Sequence, residues 1–206
     1  MDMHQIFMKQ RYKLQEESEM DFKNYTEQYM KETMEITQTI DKDEIVKTIK
    51  IMSSLQKSGG RLFILGVGGS AASASHAVND FRKIAGIETY TPTDNVAELT
   101  ARTNDDGWNT TFTKWLETSK LCDKDALLIL SVGGGSDTTS LNIKEAIDMA
   151  LQRKAKVTGI VSRDGGYTKK NADACVLVPV VSEGRITPHA EGWHGIVWHL
   201  IVNALV

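Results

Sequence analysis

The chain has 206 residues, 41% hydrophobic and 25% charged, which is enough apolar side chain for one well-buried domain and short for two. A net charge of −3 argues against a broad nucleic-acid footprint, and no apolar run approaches the ~18 residues of a membrane-spanning helix. The N-terminal residues lack the basic-then-apolar order of a signal peptide, and Cys122 and Cys175 stand far apart in no metal spacing; the expectation is a cytoplasmic protein with no nucleic-acid and no membrane partner.

Residues 1–58 are rich in Met, Lys, Glu and Gln and contain no proline. They predict two helices. The first runs from about Ile6 to about Thr37. The second is capped by Asp41, with Glu44 three residues on, and carries Ile45, Ile49 and Met52 at helical spacing. Ser58-Gly59-Gly60 stops it. From Arg61 the pattern changes to short Ile/Leu/Val-rich runs alternating with helical segments. Expected strands are Leu62–Leu65, Thr89–Thr91, Ala126–Ser131, Lys156–Val161 and Ala174–Val180. Expected helices are Ala71–Ile84, Asn109–Ser119, Thr139–Gln152, Tyr167–Ala172 and Trp193–Val206. This order predicts an α/β fold with a parallel sheet covered on both faces. In the last helix Trp193, Ile196, Val197, Leu200, Ile201, Ala204 and Leu205 form one apolar stripe. Pro188 and Gly192 argue against regular helix before Trp193.

Two glycine loops follow two of the strands. Gly66-Val67-Gly68-Gly69-Ser70 comes after Leu62–Leu65, and Ser131-Val132-Gly133-Gly134-Gly135-Ser136 comes after the third strand. Each hands a strand over to a helix start, where free backbone N–H groups and the helix dipole favour an anion. In an open parallel sheet both loops lie beyond the carboxyl ends of the strands, where ligands bind. Neither is a nucleotide P-loop, because no Gly-Lys-Ser/Thr follows. The dinucleotide reading is poor too, since Ala71 stands where the third glycine belongs.

The histidines cluster in two places. His76 and Asp80 lie one turn apart in the helix after the first loop. Such a pair binds a metal ion, serves in acid/base chemistry, or is a buried histidine beside a solvated aspartate. His189, His194 and His199 accompany Glu191 in a polar, aromatic segment near the end of the chain.

Together these motifs resemble the sugar-isomerase (SIS) domain family, and within it the phosphoheptose isomerases. The family opens with Gly-Asn-Gly-Gly-Ser and His-x-x-x-Glu; here these are Gly66–Ser70, His76 and Asp80. Its Ser-Thr-Ser-Gly-Asn-Ser phosphate loop corresponds to Ser131–Ser136, and its Thr-Gly-x-x-Gly-Gly segment to Val161–Gly166. Its Arg-Ile-Gln-Glu-x-His-x-x-x-x-His becomes Arg185-Ile186, four additional residues, then Glu191-Gly192-Trp193-His194 and His199. Asp replaces Glu, Glu replaces Gln, and Val132, Gly133 and Gly135 remove hydroxyl or amide side chains from the phosphate loop.

The resemblance implies a three-layer sandwich with a five-stranded parallel sheet in flavodoxin-like order. It implies one SIS domain over residues 1–206, with helices at 1–58 and an α/β core at 59–206. It implies an aldose–ketose isomerase acting on sedoheptulose 7-phosphate for surface-polysaccharide heptose synthesis, assembled as a homotetramer. The implied metal is zinc, one ion per subunit, held by His76, Asp80, Glu191 and His199. The implied acid/base pair is Asp80 and His199. Gly68, Gly69, Ser70, Ser131, Gly133, Gly134 and Ser136 hold the sugar phosphate in this reading, and Asp94 after the second strand takes a sugar hydroxyl. On one continuous helix Glu191 and His199 stand about 12 Å apart, so sharing an ion requires the helix to start after Gly192. His189 is the substitute ligand. The rival reading is a non-catalytic adaptor of the same subgroup that binds a replication initiator protein, which the loss of loop hydroxyls suits and the retention of His76, Asp80 and His199 opposes. A third is a sugar-phosphate-sensing regulator, usually fused to a DNA-binding domain for which this sequence shows no segment.

Overall fold

The computed structural model describes residues 21–206, so the expected first helix between Ile6 and residue 20 lies outside the described residues. Helix α1 spans Phe22–Thr39 and α2 spans Lys42–Ser58. Asp41 caps α2 as expected: its Oδ1 accepts from the backbone N–H of Asp43 at 2.9 Å and of Glu44 at 3.2 Å. That satisfies two donors a helix start otherwise leaves open. Gly59, at φ +68°, ends the helix in the left-handed region.

The remaining elements are β1 (Leu62–Leu65), α3 (Gly69–Lys83), β2 (Thr89–Tyr90), α4 (Val96–Asp106), α5 (Thr111–Thr118), β3 (Ala126–Leu130), α6 (Leu141–Gln152), β4 (Lys156–Val161), α7 (Gly166–Asn171), β5 (Ala174–Leu177) and α8 (Ile186–Asn203). All five strands pair in parallel, in the order β2-β1-β3-β4-β5. This is the flavodoxin-like order that the family resemblance implies. Alternation along the strands divides the core into two layers. Leu62, Ile64, Leu128 and Leu130 face a layer built with Met52, Phe81, Trp193, Val197 and Ile201. Phe63, Leu65, Leu127 and Ile129 face the other, with Phe112, Leu116, Ile143 and Ile147. The first layer places α3 and α8 side by side, which positions the site.

Three expectations change. Helix α4 was not expected, because its residues form no apolar stripe and none is buried. A local signal makes it: Asn95 Oδ1 accepts from the N–H of Ala97 at 3.1 Å and of Glu98 at 3.2 Å. Helix α8 begins at Ile186, not after Gly192. Pro188 falls in its first turn, where an N–H has no helical acceptor to lose, and Gly192 has open space around it. The buried stripe of α8 is His189, Ala190, Trp193, His194, Val197, Trp198, Ile201 and Val202, so Ile196 and Leu200 face outward, 47% and 45% exposed.

Helix α2 docks on the chain's own sheet through Ile45, Met52 and Leu55. Helix α1 joins that layer with Ile36 and leaves Phe22, Tyr25, Met30 and Met34 exposed. No helix among the described residues is long and apolar enough to cross a membrane.

Candidate active site

The first glycine loop is shaped by contacts no side chain allows. A Cβ on Gly66 would lie 2.3 Å from the Ser70 carbonyl oxygen, and Gly68 stands at φ +63°. Helix α3 therefore starts at Gly69 with its first N–H groups free. The Glu191 carboxylate sits against that start: a Cβ on Gly69 would meet Glu191 Oε1 at 2.5 Å. The positive end of the α3 dipole favours a negative group there.

The second loop is held by its own atoms. Ser131 Oγ accepts from the Gly134 N–H at 3.0 Å, and Ser136 Oγ accepts from the N–H of Thr138 and Thr139 at 3.2 and 3.0 Å. Between the two loops lies a cavity of about 540 Å³. Ser70, Ser131, Gly133 and Ser136 line it, with Val67, Val132, Arg163, Thr187 and Glu191. Gly68 and Gly69 are exposed beside it, and Gly134 is buried in the loop's backbone packing. Another cavity, about 480 Å³, lies at the opposite end of the strands, around Ala126 and Lys156. The carboxyl ends are where a parallel sheet binds ligands, which favours the glycine-loop cavity.

Further along α3 and α8, His76, Asp80 and His199 converge, and one ligand atom from each lies within 4.8 Å of the others. Asp80 is 6% exposed, whereas both histidine rings reach the surface. Asp80 Oδ2 stands 3.2 Å from His199 Nε2 and 3.5 Å from His76 Nε2. The indole N–H of Trp198 donates to the same oxygen at 3.2 Å, and Asn79 Nδ2 donates to Oδ1 at 3.0 Å. His199 Nδ1 donates to the Gly195 carbonyl at 2.7 Å. In the neutral ring that bond leaves the lone pair on Nε2, aimed at a carboxylate oxygen. Two acceptors this close need a cation between them, either a proton or a metal ion. Two imidazoles and one carboxylate, with the outer atoms of His199 and Asp80 hydrogen-bonded, are a suitable donor set for zinc with an open position.

Glu191 is not part of this cluster. Because α8 is continuous, it stands about 12 Å along the axis from His199, at the glycine loop. The expectation that a late helix start would bring both onto one ion within a chain is corrected. His189 is no substitute ligand: it is buried, its Nε2 lies 2.8 Å from Glu32 Oε2, and it stacks on Tyr29 at 4.4 Å. Arg185 also binds Glu32, and these two partners hold the Glu32 carboxyl well below the usual carboxylate range despite its burial. Asp94 Oδ1 accepts from the Ser75 hydroxyl, which ties its loop to α3 one residue before His76.

Residues the sequence reading left without a role also shape the site. Trp198 orients Asp80. His194 is fully buried under the second loop beside the carbonyls of Ser131 and Ile160, and burial pushes its imidazole down to about 4. Its place in the buried stripe of α8 was the available signal.

The family model described as "SIS domain" matches residues 24–162. A phosphoheptose isomerase from Chlorobaculum tepidum is 30% identical over 171 residues, covering 79% of this chain and 78% of that protein. One from Sulfurimonas denitrificans is 29% identical over 193 residues, covering 89% and 94%. The solved phosphoheptose isomerase of Neisseria gonorrhoeae superposes with a TM-score of 0.77 over 94% of this chain and 99% of that one, at 23% identity, a likeness of fold.

Proposed function

The chain belongs to the SIS domain family, and from that premise we propose that it is an aldose–ketose isomerase of a phosphorylated sugar, converting sedoheptulose 7-phosphate to a heptose 7-phosphate. The observation that carries the reading is the convergence of His76, Asp80 and His199 beyond a cavity walled by two anion-binding loops.

The reaction moves one proton between neighbouring carbons. A base takes the proton from C1 of the ketose, the C–H electrons form the C1=C2 bond of an enediol, and the C2 oxygen is protonated. Loss of the O1 proton then regenerates a carbonyl at C1 as a proton returns to C2. Asp80 is the base in this proposal. It is shielded from water, and the Trp198 and Asn79 N–H groups fix its orientation. His199 is its acid partner, its ring set by the Gly195 carbonyl. His76, Asp80 and His199 would hold a zinc ion, which when bound polarises the carbonyl and hydroxyl oxygens. An Nε2 that ligates an ion carries no proton, so the ligand and acid roles of His199 are alternatives, and chelation separates them.

Glu191 would complete the ligand set from a second copy of the chain. It lies too far from its own cluster, whereas the rings of His76 and His199 are half-exposed and α8 also turns Ile196 and Leu200 outward. We infer a homotetramer, one SIS domain per chain, in which paired copies exchange this residue. The glycine-loop cavity that Glu191 lines would then open onto the neighbour's cluster, with Gly68, Gly69, Ser70, Ser131, Gly133, Gly134 and Ser136 around the phosphate end. Asp94 would meet a sugar hydroxyl. A cytoplasmic location goes with this reading. The test is turnover of sedoheptulose 7-phosphate by the zinc-loaded protein, with sedimentation to give the assembly; a monodisperse monomer at micromolar concentration overturns the composite site.

A further inference from the structure

Arg163 sits on the turn after β4 and reaches the glycine-loop cavity, and its guanidinium forms no hydrogen bond or ion pair among the described residues. The turn is closed by the Gly165 N–H donating to the Ser162 carbonyl at 2.9 Å. Arg163 takes its first central position at φ +55°, a conformation that favours glycine. A long cationic side chain kept in a strained backbone position needs a reason beyond packing. Packing supplies none, because the side chain is exposed.

The turn is fixed against the second loop. Thr168 donates to the Gly134 carbonyl through its N–H at 2.9 Å and its hydroxyl at 2.7 Å, and the Tyr167 N–H donates to the Gly135 carbonyl at 2.8 Å. A Cβ on Gly166 would stand 2.1 Å from the Gly133 oxygen, so the two backbones touch. Arg163 is therefore carried on a rigid mount beside the loop.

Charge in the cavity is sparse. Arg163 is the one Lys or Arg among its described lining residues, and Glu191 the one acid. Lys144, close to the loop, is engaged by Asp137 at 2.8 Å, and Lys169 donates to the Cys175 carbonyl at 3.3 Å. Val132, Gly133 and Gly135 offer no side-chain donor, and Ser131 and Ser136, which accept from the loop's own N–H groups, offer only neutral hydroxyls. Without Arg163 a phosphate dianion would meet only neutral hydroxyl and backbone donors, beside the Glu191 carboxylate. A planar guanidinium supplies paired donors and a charge that stays on at any working pH.

We propose that Arg163 grips the phosphate of the substrate and sets the preference for a phosphorylated over a free sugar. The proposal rests on the reading of the substrate as a sugar phosphate. Its test compares wild type with Arg163→Gly and Arg163→Lys. Inorganic phosphate binding is measured by calorimetry, kcat and KM by turnover, and the unfolding midpoint by circular dichroism. Arg163→Gly relieves the positive φ, so its midpoint stays level or rises while phosphate affinity falls roughly tenfold to a hundredfold. KM for the sugar phosphate rises by a similar factor, kcat falls far less, and Arg163→Lys recovers part of the affinity. Unchanged phosphate affinity in Arg163→Gly, or no phosphate binding by wild type at millimolar concentration, overturns the proposal. Phosphate binding that depends on Arg163 without any sugar turnover keeps it and removes the isomerase reading instead.

Discussion

His199 Nε2 lies 3.2 Å from Asp80 Oδ2 across the contact between α8 and α3. The two groups come from opposite ends of the α/β core and meet because both helices pack on one face of the sheet, through Phe81 and Val197. The neighbouring Trp198 donates to the same Asp80 oxygen at 3.2 Å, so α8 supplies both the partner and the group that aims it.

Replacing Asp80 by Asn keeps size and an acceptor oxygen for the Trp198 N–H but removes the base. Turnover falls roughly 10²–10⁴-fold while the unfolding midpoint moves by only a few degrees. Steady-state kinetics beside a thermal melt checks this; a variant with wild-type turnover removes Asp80 from the chemistry.

The buried His194 makes stability depend on pH. Its folded value, about 4, lies below the ordinary value of 6.5. Between those values the unfolded chain binds the proton and the folded chain does not. The contribution is thus fully present above pH 6.5 and is lost as pH falls toward 4, on the order of 3 kcal/mol in all. Denaturant titrations from pH 7 to 4.5 should show a slope in wild type that is flattened in His194→Asn, whatever the variant's absolute stability.

The glycines of the second loop are not equivalent. A Cβ on Gly134 would stand 2.0 Å from the Gly165 oxygen at φ +69°, whereas Gly133 has open space at its Cβ. Gly134→Ala should cost at least ~2 kcal/mol and weaken phosphate binding, and Gly133→Ala should leave the midpoint within a few degrees. Chemical denaturation of the two variants decides it.

The knot of Glu32, Arg185 and His189 ties α1 to the start of α8. Arg185→Met leaves the buried Glu32 carboxylate with one partner fewer and should lower the midpoint by ~5 °C or more, while Lys144→Met, which opens an exposed pair with Asp137, should change it little. The Glu32 carboxyl is held low, so its contribution is present above the ordinary carboxylate range and fades as pH falls through and below it.

The sheet was legible because Leu62–Leu65, Ala126–Leu130 and Lys156–Val161 are short apolar runs between glycine turns and helices, a pattern set by local backbone needs. His76 and Asp80 were legible as a pair because helical spacing alone puts them on one face. The start of α8 was not, because Pro188 and Gly192 read as breakers and only tertiary packing of His189, Ala190 and Trp193 carries the helix through them. Trp198 and Arg163 were not legible as site residues either. An indole that aims a carboxylate and an arginine at positive φ are visible only in three dimensions.

The central claim is tested most directly by following sedoheptulose 7-phosphate with the zinc-loaded protein in heavy water by proton NMR. The account predicts an aldose phosphate product that carries solvent deuterium at C2; a rate lost on chelation and restored by zinc assigns His199 to the ion, and a rate that survives chelation assigns it the acid role. Protein holding one zinc ion per subunit that neither converts the ketose nor exchanges its C1 protons contradicts it.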